Sequence, residues 1–447
     1  MRARPALVSR SHYNLYLFFA ILFGVALGAW FPVNSQQLSG SERERGRVML
    51  KIIKDDIKEH YYDPSFHGLN LDESFNKAEE KLKQATSNSQ IFATIAQTLL
   101  DFNDSHTFFL PPRRSFSLEY GWKMQMVGDV CYATIVKPGS DAEAKGLRPG
   151  DIVHDIDGYK PSRENLWILN YLFRALWPRS AQRLSVQSPG GQPRLLEIAS
   201  KVKEGRKVLD FGNSAEAHDD DIKEQLEDYL RRDRFQTPGD DLLIWKMPQF
   251  DQSEKEIEGV MGRVKKYKNL ILDLRGNHGG YVETLRHLVG YFLGAPVKIA
   301  DVKGRKETKP MMSKKIGGAY EGRLIVLIDS DSASAAEMFA RTMQLEKRAT
   351  VIGDRSSGSV MQSRIYPRKI GMDVMVFYAT SITEADVIMS DGQSLEHTGV
   401  VPNELMLPTG ADLAAGRDPV LVRAAALLGV TIEPEKAGLL FPVEWPK

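Results

Sequence analysis

Three short segments hold the side chains best suited to covalent or acid–base chemistry. The first runs from Leu324 to Ala340, where an apolar stretch ending at Ile328 passes through the small-residue run Asp329 to Glu337 into a helical pattern. Ser334 stands at that strand-to-helix junction. Small neighbours let another chain approach, and the free N–H groups of a helix's first turn favour a developing oxyanion. Ser332 and Ser334 each also suit a plain helix N-cap. The second segment, Asp273 to Gly280, likewise leaves a strand for a helix. Its paired glycines, Gly279 and Gly280, expose N–H groups that can cradle an anion, although tight packing is the commoner reason for such glycines. The third, Asp101 to Pro112, sets His106 among aromatic residues, where an imidazole is either a structural group or a proton acceptor.

The elements that must position these groups follow from periodicity. From Ser41 to Leu100 apolar residues recur at helical spacing (Val48, Ile52, Ile53, Ile57, then Phe75, Ala78, Leu82), with polar turns near Asp63 and Thr86, so 41–112 is expected to be a helical region. Between Phe116 and about Val202, alternating runs separated by glycine turns (Lys123–Val127, Val130–Val136, Asp151–Ile156, Arg183–Gln187) predict a compact β domain. The charged stretch from His218 to Arg234 is expected to be an exposed helix and Gln236–Asp241 a turn, together a connector over 206–240. From Leu242 onward, apolar runs (Leu270–Leu274, Leu324–Ile328, Thr350–Ile352) alternate with amphipathic helices, one of which shows the face Val282, Leu285, Val289 and Phe292. That rhythm predicts an α/β core over 241–430.

Composition narrows the function classes. A chain of 447 residues exceeds one ordinary core. Its 59 basic and 58 acidic residues leave a net charge of +1 without long single-sign blocks, so no nucleic-acid partner is expected. The single cysteine, Cys131, lies in an apolar run and is expected to be a buried small hydrophobe. No histidine or cysteine cluster has metal-ligand spacing and no nucleotide-binding glycine motif occurs, so neither metal nor cofactor is expected. Arg2, Arg4 and Arg10 precede an uncharged stretch from Tyr13 to Val33 that ends without a small-x-small cleavage site. An uncleaved transmembrane anchor over 13–33 is expected in preference to a removed signal, with the arginines cytoplasmic and everything after Gln36 across the membrane. In a bacterium that location is the cell envelope, on the periplasmic side of the inner membrane.

In order and spacing, these segments resemble the C-terminal processing (tail-specific) serine proteases over most of the chain after Gly40. The run Ser332–Glu337 resembles that family's nucleophile motif, with Ser334 in the nucleophile's place. Asp273–Gly280 resembles its oxyanion loop, which implies that the N–H groups of Gly280 and Ala335 form the hole. Ala142–Gly158 is similar to part of a PDZ domain. That likeness implies a PDZ-like domain over 116–202 that binds a substrate's free C-terminus as an added strand, with Tyr120, Gly121, Trp122 and Lys123 as the carboxylate loop. The core is implied to be of the crotonase/Clp-protease-like type.

One departure shapes the expected chemistry. Members of the Ser/Lys type carry a lysine in a Thr-Phe-Gly-Lys-like run, whereas this chain reads Ser356, Ser357, Gly358, Ser359. A hydroxyl at Ser359 cannot act as a general base near neutral pH. A branch resembling the tricorn protease core uses a histidine base, a serine beside it and a glutamate, and Ser105, His106 and Glu396 match that set. The resemblance then implies that His106 takes the Ser334 proton while Glu396 and Ser105 orient it. Lys369 is the rival base, and a plain surface turn would also account for Glu396 and its neighbour His397. The implied function is an envelope serine endopeptidase acting on protein or peptide substrates, with self-association left open. Two alternatives stand beside it: a catalytically idle relative that binds peptides or apolar ligands, and a scaffold that recruits another envelope protein through 218–234.

Overall fold

The computed structural model of the chain describes residues 38–112, 116–204, 232–371 and 375–443. The expected anchor at 13–33 and most of the expected connector at 206–240 lie outside those residues. Among the described residues, no helix is long and apolar enough to cross a membrane.

Three helices open the described chain: α1 (Gly40–His60), α2 (Leu71–Lys83) and α3 (Asn88–Leu100). Each starts on the polar cap its sequence supplies. Ser39, Asn70 and Ser87 accept from the amides of Glu42, Glu73 and Gln90, satisfying donors that a helix start leaves free. α1 turns Met49, Leu50, Ile53 and Ile57 into a core shared with Phe75, Leu82, Ile91 and Ile95, a burial that contributes roughly 1.5–3 kcal/mol per large side chain. Tyr378 and Ile382, from a strand near the far end of the sequence, join the same core. This packing holds the loop after α3, which carries His106, against the second half of the chain.

That loop leads into β1 (Phe108–Leu110) and then a β-rich unit. β2 (Phe116–Glu119) pairs with β8 (Lys201–Glu204), so the chain enters and leaves side by side. Between them β3 (Trp122–Val127), β4 (Val130–Val136), β5 (Ile152–Ile156), β6 (Ala181–Gln187) and β7 (Arg194–Ala199) form an antiparallel sheet in sequence order, which leaves β3 as an outer strand. The short helix α4 (Asp141–Ala144) and α5 (Leu166–Tyr171) accompany the sheet, and α5 continues as a wide π-type turn over Leu172–Leu176. Met126, Ala133, Ile156, Leu184 and Ile198 pack with Leu169 and Phe173.

The core is built on a six-stranded sheet. β10 (Leu242–Lys246), β11 (Asn269–Asp273), β14 (Arg323–Ile328), β15 (Thr350–Gly353) and β18 (Glu404–Leu405) run parallel, and β9 (Arg234–Gly239) closes one edge antiparallel. Leu243, Trp245, Leu270, Leu272, Val326 and Val351 share a cluster with residues of α6 (Glu254–Val264), α7 (Val282–Leu293) and α8 (Ala335–Leu345). The alternate residues, Leu242, Ile244, Ile271, Ile325, Leu327 and Ile352, cluster with residues of α10 (Pro419–Leu427) and α11 (Pro434–Leu439), which follow the short α9 (Gly410–Ala414). Burial on both faces is why these strands read as unbroken apolar runs.

The sequence reading needs one correction here. Gln236–Asp241, expected to be a turn, belongs to β9 as far as Gly239, and Arg234 opens that strand rather than ending a helix. An edge strand has no partner on one side, so Pro238 is tolerated. Phe235 stacks on Trp245 at 6.0 Å with the Arg263 guanidinium 4.4 Å above it, contacts that no local pattern encodes.

A second sheet links the helical region to the core. β17 (Val376–Met389) pairs with β16 (Met361–Ile370) along one edge, and with β1 and β12 (Lys298–Gly304) along the other, while β13 (Thr308–Met312) flanks β12. Phe109 lies opposite Thr380 in this arrangement. The β-rich unit in turn docks on the loop that follows β14. Gln125 donates to Asp329 at 2.7 Å, Ser330 donates to the Met126 carbonyl at 2.6 Å, and Arg163 joins the Gly128 carbonyl to Asp354.

Candidate active site

β14 ends at Ile328 and α8 begins at Ala335, so the six residues between them must turn sharply. Ser332 makes that turn rigid. It is fully buried, donates to the Leu274 carbonyl at 2.8 Å and accepts from the Asp329 amide at 2.9 Å. Ser334 differs from it in each respect. It sits at φ 54°, ψ −118°, a region that costs a non-glycine residue about 1–3 kcal/mol. Its amide is held by Glu337 at 3.0 Å and by the Ser359 carbonyl at 2.9 Å. It is partly exposed between the buried Ala333 and Ala335. The strain is therefore fixed by backbone bonds, and the side chain is presented at the start of an 11-residue helix.

The second loop is clamped to the first. Asn277 accepts the Gly279 amide at 2.8 Å, donates to the Met247 carbonyl at 2.8 Å, and receives the Ala333 amide at its own carbonyl at 2.9 Å. Gly279 adopts φ +89°, and a Cβ there would lie 2.6 Å from the Ser334 Cβ and 2.9 Å from the Ala335 nitrogen. Gly280, at φ +144°, brings its Cα against the Phe250 backbone, where a Cβ would lie 2.2 Å from the carbonyl oxygen. Among the described residues, neither the Gly280 amide nor the Ala335 amide donates to a protein acceptor. Gly279→Ala is expected to push the two loops apart and lower kcat/KM for a protein substrate by about 10²-fold, the effect of a displacement near 1 Å. A variant with the parent rate and melting temperature would show that the close approach is immaterial.

A buried ion network anchors the same loop from below. Arg275 binds Asp273 through Nε and Nη2, each at 2.9 Å, and Asp418 at 3.0 and 2.8 Å, while Lys246 donates to the Arg275 carbonyl at 2.7 Å. Burial alone would raise the Asp273 carboxyl, but the Arg275 and Lys246 charges outweigh it and hold the group well below the usual carboxylate range. Asp418 also caps α10 at the Leu421 amide, so the C-terminal helices brace the glycine loop.

His106 is reached through a relay. The Glu396 carboxylate accepts from the Ser105 amide at 2.8 Å, the Ser105 hydroxyl at 2.9 Å and the Val360 amide at 2.7 Å. An ionised carboxylate is acceptor-only, so the Ser105 proton points at Glu396 and the Ser105 oxygen accepts from His106 Nδ1, 2.7 Å away. That assignment leaves Nε2 with its lone pair. Burial raises the Glu396 carboxyl above its ordinary value, and the His397 charge and the three donors oppose the rise. Burial pushes His106 down to about 4, with the Asp104 charge partly opposing it; at neutral pH the imidazole is an unprotonated acceptor.

One strip of chain connects relay and turn. Ser359 supplies the carbonyl that holds the Ser334 amide, and the next residue, Val360, supplies the amide that holds Glu396. Gly358, Ser359 and Ser356 all donate to Glu337, at 2.7, 2.9 and 2.6 Å. Burial pushes the Glu337 carboxyl up to about 7 while these donors and the Ser334 amide pull it down. Among the described residues, no hydrogen bond joins Ser334 Oγ to His106 Nε2; the strip meets the relay at Glu396 and the turn at the Ser334 amide. The Ser359 hydroxyl pairs with Ser357 Oγ at 2.9 Å, so no amine occupies that position. Lys369 is exposed on β16 opposite Phe377, near the hairpin end that leads to β17. Glu337 and Asp104 were given no role from sequence. The first had a local signal, since a serine followed three residues later by glutamate at a helix start is a capping-box pattern.

The remaining expected site residues lie on the β-rich unit. Tyr120 is buried and exchanges hydrogen bonds with the Arg179 carbonyl at 2.8 Å and amide at 2.9 Å. Gly121 takes φ +72°, and its carbonyl accepts the Lys137 amide at 2.8 Å. Trp122 donates to Gln182 at 3.2 Å. Lys123 lines a narrow cleft of about 20 Å³ with Tyr120, Trp122, Phe173, Arg174 and Gln182, between the outer strand β3 and the α5 region. The Cys131 thiol is buried and pushed up to about 12, which removes it as a nucleophile. Among the described residues, no cluster of side chains could hold a metal ion.

The profile described as peptidase family S41 matches residues 241–406. The carboxyl-terminal-processing protease of Synechocystis sp. is 21% identical over 404 residues, covering 87% of this chain and 87% of that protein. The tail-specific protease of Haemophilus influenzae is 28% identical over 284 residues, 58% of this chain and 38% of the relative. Among solved structures, mature CPAF complexed with lactacystin superposes with a TM-score of 0.59 at 15% identity, covering 83% of this chain and 95% of that one; at that identity the likeness is one of fold.

Proposed function

We propose that this chain, whose residues 241–406 match peptidase family S41, is a serine-type peptidase of protein substrates that works through an acyl-enzyme on Ser334 with His106 as its base. The observation that carries this reading is the Ser105 hydroxyl set between His106 Nδ1 and Glu396 at 2.7 and 2.9 Å. It fixes the tautomer whose Nε2 can accept a proton.

In this mechanism Ser334 Oγ attacks the scissile carbonyl and its proton passes to His106 Nε2. The imidazolium keeps its Nδ1–H on Ser105, and Ser105 keeps its proton on Glu396. The Gly280 and Ala335 amides receive the oxyanion. His106 then protonates the leaving amine, and water repeats the sequence to release the acid. The mechanism requires Ser334 Oγ and His106 Nε2 to come within hydrogen-bond reach in the substrate complex, and catalytic contacts are commonly looser in unliganded enzymes. The absence of an amine at Ser359 favours the histidine over a lysine.

The finer parts of the reading concern delivery. Residues 116–202 act as a PDZ-like domain that adds a substrate's C-terminal segment as a strand along the outer edge of β3, its carboxylate meeting Tyr120, Gly121, Trp122 and Lys123. A cleft of about 20 Å³ has room for roughly one water molecule, so α5 must move outward to admit a peptide. Residues 13–33 anchor the protein with its catalytic part outside the cytoplasm. A fluorophosphonate probe tests the central assignment: tryptic mass spectrometry is expected to find the adduct on Ser334 and to find it lost in His106→Ala. A probe that marks another serine, or none at any pH, would remove Ser334 from the mechanism.

A further inference from the structure

Asp104 is nearly fully buried, with 4% exposure, yet its carboxylate is saturated by donors from three parts of the chain. Oδ1 accepts the His106 amide at 2.9 Å, the Thr107 amide at 2.7 Å and the Thr383 hydroxyl of β17 at 2.7 Å. Oδ2 accepts the Tyr61 hydroxyl, just beyond α1, at 2.8 Å. Burial and the neighbouring Asp104 carboxylate hold the Tyr61 phenol far above its ordinary range, so it stays a donor. All four of these contacts are donors to the carboxylate, which acts in each as the acceptor.

We propose that Asp104 is a positioning residue for His106: it fixes the backbone of the Ser105–His106 turn and supplies the negative charge that stabilises the imidazolium formed when Ser334 is deprotonated. The inference rests on the reading that His106 is the base. Glu396 cannot fill this role directly, because the Ser105 hydroxyl stands between it and the ring. The other titratable groups around the turn are His397 from the Glu396 turn, Asp386 from β17, and Tyr62 and His67 from the segment after α1. They line, with Asp104 and Glu396, a cavity of about 330 Å³ whose lining does not include His106. Of the neighbouring charges, that of Asp104 bears on the imidazole and favours its protonated form.

The arrangement allows charge to be separated from geometry. In Asp104→Asn the side-chain oxygen can keep the three Oδ1 donors, and the new amide can donate to Tyr61, whose hydroxyl oxygen accepts. The hydrogen bonds survive and the charge is lost. The expected result is a fall in kcat of about 10- to 100-fold with KM within about twofold. The acid limb of the rate profile should also move down by roughly one pH unit, because an imidazole without its counter-charge holds a proton less tightly. Unchanged kcat and an unmoved limb overturn the proposal. Thr383→Val keeps the charge and removes one donor; it should leave the limb in place and kcat within about threefold. Should Thr383→Val reproduce the full loss, the network acts through packing alone and the proposal also fails, a decision that stands even if Asp104→Asn does not fold. His106→Ala in the same assays separates the two levels. If that variant keeps its turnover, the base assignment itself is wrong; if it is inactive while Asp104→Asn is unaffected, only the role of Asp104 is.

Discussion

Ser334→Ala is expected to lower kcat/KM for an unfolded protein substrate by about 10⁴-fold or more, with circular dichroism and the melting temperature close to those of the parent. The reason for so large an effect is that the hydroxyl is the atom that forms the covalent bond, and no neighbour can replace it. Ser332 is fully committed to Leu274 and Asp329, Ser356 to Glu337, and the Cys131 thiol is buried. The fold should tolerate the change because the turn is held by the Ser334 amide, through Glu337 and the Ser359 carbonyl, and alanine retains that amide. Its backbone strain at φ 54° is the same for either side chain. Turnover within tenfold of the parent would show that the reaction runs through another nucleophile.

His106→Ala is expected to cost about 10²- to 10⁴-fold in kcat, the range that a positioned general base contributes. The parent enzyme should show its acid limb near pH 4, because burial pushes His106 down to about 4 from the ordinary 6.5. The base works unprotonated, so activity rises with pH through that limb and is level through neutrality. Stability follows the same group with a definite sign. The folded pKa is depressed, so between 6.5 and about 4 the unfolded chain binds the proton that the folded chain refuses. The fold therefore loses stability as pH falls through that window, and His106→Ala should abolish this component. A limb that stays in place when His106 is removed would assign the titration to another group.

Much of this was legible before any coordinates. The strands Asn269–Asp273 and Arg323–Ile328 and the helical region after Ser41 follow from apolar spacing. Each is a property of neighbours within a few residues. Ser334 was recognisable as a junction residue for the same reason, and Gly279 and Gly280 as points where only a missing Cβ permits the chain's path. Local pattern alone did not separate Ser332 from Ser334, since both sit in one small-residue run and both suit a cap; the family resemblance put Ser334 in the nucleophile's place. Three-dimensional contacts distinguish them: Ser332 is fully buried against Leu274, 58 positions away, and Ser334 is left partly exposed.

The acid–base apparatus lies further still from anything a linear pattern can encode. Ser105 meets Glu396 across 291 residues, and Asp104 meets Thr383 across 279. Periodicity and capping act over a turn or two of chain, so they can set a helix, a strand and the loop that ends it. Whether an imidazole in one loop is neutral, which of its nitrogens carries hydrogen and which carboxylate stands behind it depend on burial and on donors that only packing brings together. The order of elements and the exposed serine come from the amino acids as written; the state of the histidine comes from the fold that surrounds it.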